Sequence, residues 1–139
     1  MTQSIFNKAN YFSFGGYDSL VDTDSNPNVV LISLDTTRAK SVAPYYQRSP
    51  STTPFLENFA KSNILYEQCI SAAPWTLPSH ASLFTGNLPR THGINSWEDT
   101  LNDSHTTIAS KLSDAGYQTV GVSNNLWVSR PFGLAQGFD

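Results

Sequence analysis

The stretch "NVVLISL", Asn28 to Leu34, constrains this chain more than any other feature. It is a continuous aliphatic and β-branched run with no polar alternation, the pattern of a strand buried on both faces, as in a parallel sheet. It stops at "DTTR", so Asp35 stands directly after the strand. In "SPSTTPFLENFAKSN" Thr53 is placed to cap a helix, Pro54 suits its first turn, and Phe55, Leu56, Phe59 and Ala60 form an apolar stripe. "ILYEQCI", 64 to 70, reads as a second strand; "TLPSHASLFTG" follows as a helix with Pro78 near its start and Gly86 at its stop. "HTTIASKLSDAG" is a third helix ended by Gly116, and "YQTVGVS", 117 to 123, a third strand running into Asn124 and Asn125. Strands alternating with helices predict an α/β fold, a mainly parallel sheet flanked by helices, over residues 28–139. Residues 1–27, polar and aromatic with a Gly15-Gly16 pair, are expected to be an N-terminal extension or loop.

Composition narrows the function classes. With 139 residues, 39% of them hydrophobic, the chain has material for one ordinary core. Its formal net charge is -3 and no basic cluster tracks a phosphate backbone, which argues against nucleic acid as a partner. The N-terminal residues contain no apolar run of signal-peptide or membrane-span length, so a cytoplasmic chain is expected. Cys69 is the single cysteine, which rules out an intrachain disulfide and a thiolate metal cluster, and its apolar setting predicts a buried structural thiol.

In parallel α/β sheets ligands sit beyond the carboxyl ends of the strands. Those ends carry Asp35, Thr76 and the Asn124-Asn125 pair. Asp35 suits a hard cation; the bland alternative has it capping the next turn or pairing with Arg38. Thr76 begins a helix, where backbone N–H groups and partial positive charge favour an anionic ester, and a hydroxyl held there beside a metal can attack phosphorus or sulfur. The alternative is that Thr76 or Ser79 caps that helix. His80 can hydrogen-bond a leaving group, bind a metal or lie on the helix surface; His92 reads as a structural loop residue, and His105 is given no role. HExxH, P-loop, GxSxG and paired-cysteine zinc patterns are absent.

The ordered segments "NVVLISLDTTRA", "TTPFLENFAKSNILYEQCISAAPWTLPSHASLFTGNLPRTHGI" and "IASKLSDAGYQTVGVSNN…FGLAQGFD" resemble the N-terminal part of sulfatases and their relatives in the alkaline phosphatase superfamily. The resemblance implies an alkaline-phosphatase-like fold, here cut short, and a metal-dependent hydrolase of sulfuric or phosphoric esters. Asp35 would ligate a divalent metal (Ca, Mg, Mn or Zn), joined by Thr76 at the nucleophile position. In sulfatases that position holds a cysteine or serine oxidised to formylglycine, in a motif continuing to an arginine. Here it holds Thr76, with His80 in the place of the arginine, so no formylglycine is expected, and Cys69 lies seven residues too early. Thr36 follows Asp35 where sulfatases have a second Asp, and the Lys and His that they carry after the third strand are not seen, with Asn124 or Asn125 standing nearby. The threonine points to the branch that attacks phosphate esters. The expected substrate is a small-molecule or glycan phosphate or sulfate ester, bound by Ser79, Asn124 and Asn125 and transferred with help from His80. The alternative is a truncated, inactive fragment that folds or functions only with a partner chain completing the sheet.

Overall fold

The computed structural model describes residues 3–7, 27–46 and 50–139, and divides into an N-terminal unit, Gln3–Glu67, and a C-terminal unit from Gln68 to Asp139. The expected extension lies mostly outside the described residues, but Gln3–Asn7 within it form strand β1. β1 pairs antiparallel with β2, Val30–Leu34, in a register that sets Gln3 against Leu34 and Asn7 against Val30. β2 is thus a strand where expected, but in a two-stranded antiparallel sheet, not a parallel one. Its burial alternates, with Val30, Ile32 and Leu34 exposed, because no layer among the described residues covers that face.

Past β2 a 3₁₀ turn, Ala39–Ser41, leads to the buried Val42 and Ala43. Helix α1, Pro54–Lys61, starts on Pro54 as its sequence dictates. Thr53 occupies the cap position without capping: its Oγ1 accepts the Ala43 N–H at 2.8 Å, joining the helix start to the only buried apolar pair of the unit among the described residues.

In the C-terminal unit, α2 (Thr76–Thr85) packs against α3 (Pro89–His92) and α4 (Ile108–Asp114). Leu77 and Ala81 of α2 meet Ile94, Leu101 and Leu134 in the core, with Trp75, Phe84 and Trp127 packed on it. α2 ends at Gly86 with φ 70°, a left-handed position that spares glycine the Cβ penalty. At α4 the Thr107 hydroxyl accepts the Ser110 N–H at 3.0 Å and donates to the Gln136 carbonyl at 2.8 Å, so one side chain both caps the helix and ties down the C-terminal segment. That segment is held further by Leu101 N–H to Phe132 O (3.0 Å), Gln136 Nε2 to Leu101 O (3.1 Å) and two bonds between Thr119 and Asp139.

Residues 64–70 and 117–123, expected as strands, form none. A strand exists only where a neighbour takes its N–H and C=O groups, and neither segment meets such a ladder among the described residues. Their apolar side chains face solvent: Ile70 is 83% and Val122 96% exposed. Cys69 is exposed with them, which corrects the expectation of a buried thiol.

Candidate active site

Thr76 is the first residue of α2 and is half-buried. The cap position belongs to Trp75, in extended conformation (φ −142°, ψ 168°), with no side-chain hydrogen bond to the helix. Thr76 therefore does not cap α2. Neither does Ser79, whose N–H is already inside the helix, bonded to Trp75 O at 3.3 Å. The first-turn amides without an i−4 carbonyl are those preceding Pro78, of Thr76 and Leu77.

His80 is buried, its Nδ1 2.9 Å from the Thr76 carbonyl and its ring edge-to-face with Phe84 at 6.2 Å. A carbonyl only accepts, so Nδ1 carries the proton in this contact. The Ser79 hydroxyl, also buried, lies 2.7 Å from the Ser71 hydroxyl, which donates to Ala73 O at 2.7 Å. Asn125 Oδ1 accepts the Trp127 N–H at 3.0 Å, while Asn124 is exposed. The residues next to the two candidates meet directly: Trp75 and Trp127 pack edge-to-face with centroids 6.0 Å apart. Thr76, Ser79 and His80 thus share the first turns of α2, and Asn125 is linked to them through Trp127 and Trp75. Sequence reading passed over Ser71, Trp75 and Trp127, because nothing in "ISAAPW" or "NNLWVS" marks contacts between residues this far apart.

Asp35, in the N-terminal unit, follows β2, and its Oδ1 accepts the Thr36 N–H at 2.9 Å, the turn-bracing role open to such an aspartate. Thr36 has φ 57°, a left-handed backbone that costs a β-branched residue about 1–2 kcal/mol. Strain of this kind is retained where the surrounding structure demands it.

His92, expected in a loop, instead closes the short α3 and is buried. Its Nδ1 accepts the Ile94 N–H at 3.2 Å, which leaves the proton on Nε2, 3.0 Å from Ser82 Oγ. Burial, with a smaller contribution from the charge of His105, lowers its pKa from the usual 6.5. The unfolded chain therefore takes up this proton at higher pH than the folded chain. Stability is fully present above about pH 6.5 and is lost as pH falls through the depressed folded value. The midpoint of thermal unfolding should fall between neutral pH and about pH 5, and His92→Gln should flatten that dependence. Asp99, held below the usual 3.8 by the Asn95 and Ser96 N–H groups, acts only in more acidic solution.

The sulfatase family profile matches residues 27–139. The chain belongs to the sulfatase family. Membership implies an alkaline-phosphatase-like α/β fold. This sulfatase-family chain is 30% identical over 115 residues to an N-acetylglucosamine-6-O-sulfatase of Bacteroides thetaiotaomicron, covering 81% of the chain and 19% of the relative. It is 34% identical over 94 residues to an arylsulfatase of Clostridium perfringens, covering 67% of the chain and 19% of that protein. Against bis(5'-adenosyl)-triphosphatase enpp4 of Mus musculus it is 29% identical over 121 residues, 83% of the chain and 25% of the relative. The sulfatase-family chain thus spans about a fifth to a quarter of the length of these proteins. No solved structure matches it. Sulfatase-family proteins generally bind a divalent metal. Among the described residues no three of His, Cys, Asp and Glu come together in a group that could hold one, so these residues do not make up a metal site. No helix among them is long and apolar enough to cross a membrane.

Proposed function

We propose that this chain carries the nucleophile of a sulfatase-family ester hydrolase, that the nucleophile is the Thr76 hydroxyl, and that its chemistry leans to phosphate esters. The observation that carries the proposal is the place of Thr76: first residue of a ten-residue helix, half-buried, with Trp75 in the cap position. Thr76 Oγ would bond to phosphorus as the alcohol of the ester leaves, and water would then release the phosphoryl group from the threonine. The first-turn amides and the helix dipole favour the charge gathering on the transferred group. His80, through its bond to the Thr76 carbonyl, holds the backbone that presents the nucleophile. Asn125, held by its bond to the Trp127 N–H, is the asparagine proposed to help hold the ester; Asn124 is the exposed alternative. Asp35 is the carboxylate this chain would offer a divalent cation, whose ligand set the described residues do not complete.

A threonine carries a methyl group on Cβ and cannot become the formylglycine aldehyde. This favours phosphorus over sulfur. The relative from Mus musculus is named for a phosphate substrate and the two bacterial ones for sulfates, so the relatives of this chain span both. The test compares turnover of a phosphodiester and a sulfate ester by the same preparation. Higher kcat/KM for the phosphodiester is expected; preference for the sulfate ester would overturn the phosphate assignment.

One observation favours a second reading, in which the chain works only once another polypeptide completes a parallel sheet. Large exposed apolar residues concentrate on the segments that read as strands, with Ile32 and Leu34 in β2, Ile64 and Ile70 in the second, and Val120 and Val122 in the third. The last segment has neither a charge nor a proline to guard an edge. In this reading the isolated chain self-associates, and Val122→Lys reduces the association measured by light scattering. A monodisperse wild-type monomer that binds no apolar dye would contradict it.

A further inference from the structure

The hydroxyl of Ser79 sits three residues from the proposed nucleophile, where it invites assignment as an anion donor. Counting protons leads elsewhere. Ser71 has one hydroxyl proton, and it goes to the Ala73 carbonyl at 2.7 Å, a partner that can only accept. The 2.7 Å contact between the two serines must then be made by the Ser79 proton. Ser79, 7% exposed, has its only hydroxyl proton committed and keeps lone pairs alone, which repel an anionic ester.

We infer that Ser71 and Ser79 are a coupled pair of positioning residues, joining the first turns of α2 to the 71–75 loop and so fixing where Thr76 emerges. The chain of bonds runs Ser79 to Ser71 to Ala73, and Ala73 is three residues ahead of Thr76. The loop is clamped again at Trp75, which packs on Trp127. α2 is anchored independently by Leu77 and Ala81, both fully buried, so its body stays in place when the pair is cut and the approach to Thr76 is what loosens. The kinetic part of this inference rests on Thr76 acting as the nucleophile; the placement of Thr76 does not.

The experiment is a double-mutant cycle of Ser71→Ala, Ser79→Ala and both together, with Ser71→Thr as the variant that keeps the hydroxyl. The Thr76 methyl resonance reports placement, and steady-state kinetics with a phosphodiester reports function. Each single alanine variant is expected to shift or broaden the Thr76 methyl signal, the double variant no more than either, and Ser71→Thr to restore it. Where turnover is measurable, kcat falls about fivefold to tenfold, the loss of one hydrogen bond, with KM little changed. An unmoved Thr76 signal in Ser71→Ala overturns the inference. So does Ser79→Ala raising KM with the signal unmoved, which would make Ser79 a direct substrate contact. If the signal behaves as expected but no variant or wild-type preparation turns over ester, the positioning pair stands and the kinetic part of the inference falls.

Discussion

Thr76→Ala is expected to lower ester turnover by at least about 10³-fold while leaving the fold in place. The effect is large because the substitution removes the atom that bonds to phosphorus. The fold is expected to survive because Trp75 holds the cap position and the body of α2 is anchored by the buried Leu77 and Ala81, while alanine is a better helix former than threonine. Thr76→Ser keeps the hydroxyl and should retain turnover within about tenfold. The pair of readouts separates nucleophile from structural residue: a helix-start role of the hydroxyl predicts lower stability in alanine, kept in serine, with turnover falling only as far as stability does. Circular dichroism melts beside kcat for both variants make the check. Retained activity in Thr76→Ala would sink the nucleophile assignment.

The largest effect on stability is expected at Gly137. Its φ is +84°, and a Cβ built there would lie 2.1 Å from the Ser110 nitrogen and 2.6 Å from the Ala109 carbonyl carbon, both backbone atoms of α4. A helix backbone cannot give way as a flexible side chain can. Gly137→Ala should therefore cost the left-handed penalty, about 1–2 kcal/mol, and an overpacking term of about 1–3 kcal/mol. Together these would lower the unfolding midpoint by roughly 10–30 °C. Gly86 supplies the control: its φ is +70°, but nothing lies within 4 Å of the added Cβ. Gly86→Ala should lose the conformational term alone and shift the midpoint by roughly 4–12 °C. Equal shifts in the two variants would mean that the C-terminal segment does not lie against α4 as described. The consequence reaches the site, since Phe138, beside Gly137, packs edge-to-face on Phe84, which in turn meets the ring of His80.

How much of this was legible in the sequence depends on the range of the interactions. Pro54, Gly86 and Gly116 mark helix boundaries by short-range chemistry, a fixed φ and left-handed stops, and α1, α2 and α4 lie next to them, although the Thr107 cap starts α4 three residues later than read. β2 was readable for its run of branched residues, but not for its partner: β1 comes from the leader, and antiparallel pairing brings Gln3 to Leu34 across thirty-one positions. Residues 64–70 and 117–123 read as strands because they have the composition of strands, yet a ladder is a property of two segments and neither finds its second here among the described residues. Cys69 went with them, since the burial expected of a free thiol depended on a layer that its segment does not meet among the described residues. At the site, Thr76 was legible from "TLPSH", whereas the contacts that hold its loop, Ser71 to Ser79 and Trp75 to Trp127, join residues eight and fifty-two positions apart and leave no periodic trace.

The measurement that bears most directly on the nucleophile is mass spectrometry of an acid-quenched reaction with a phosphate ester, followed by digestion and fragmentation of the peptide that contains Thr76. A phosphoryl adduct on Thr76 that appears within the first turnover, decays as ester is exhausted and is absent from Thr76→Ala is the expected result. Turnover with Thr76 unmodified throughout, or an adduct on a different residue, would contradict the account.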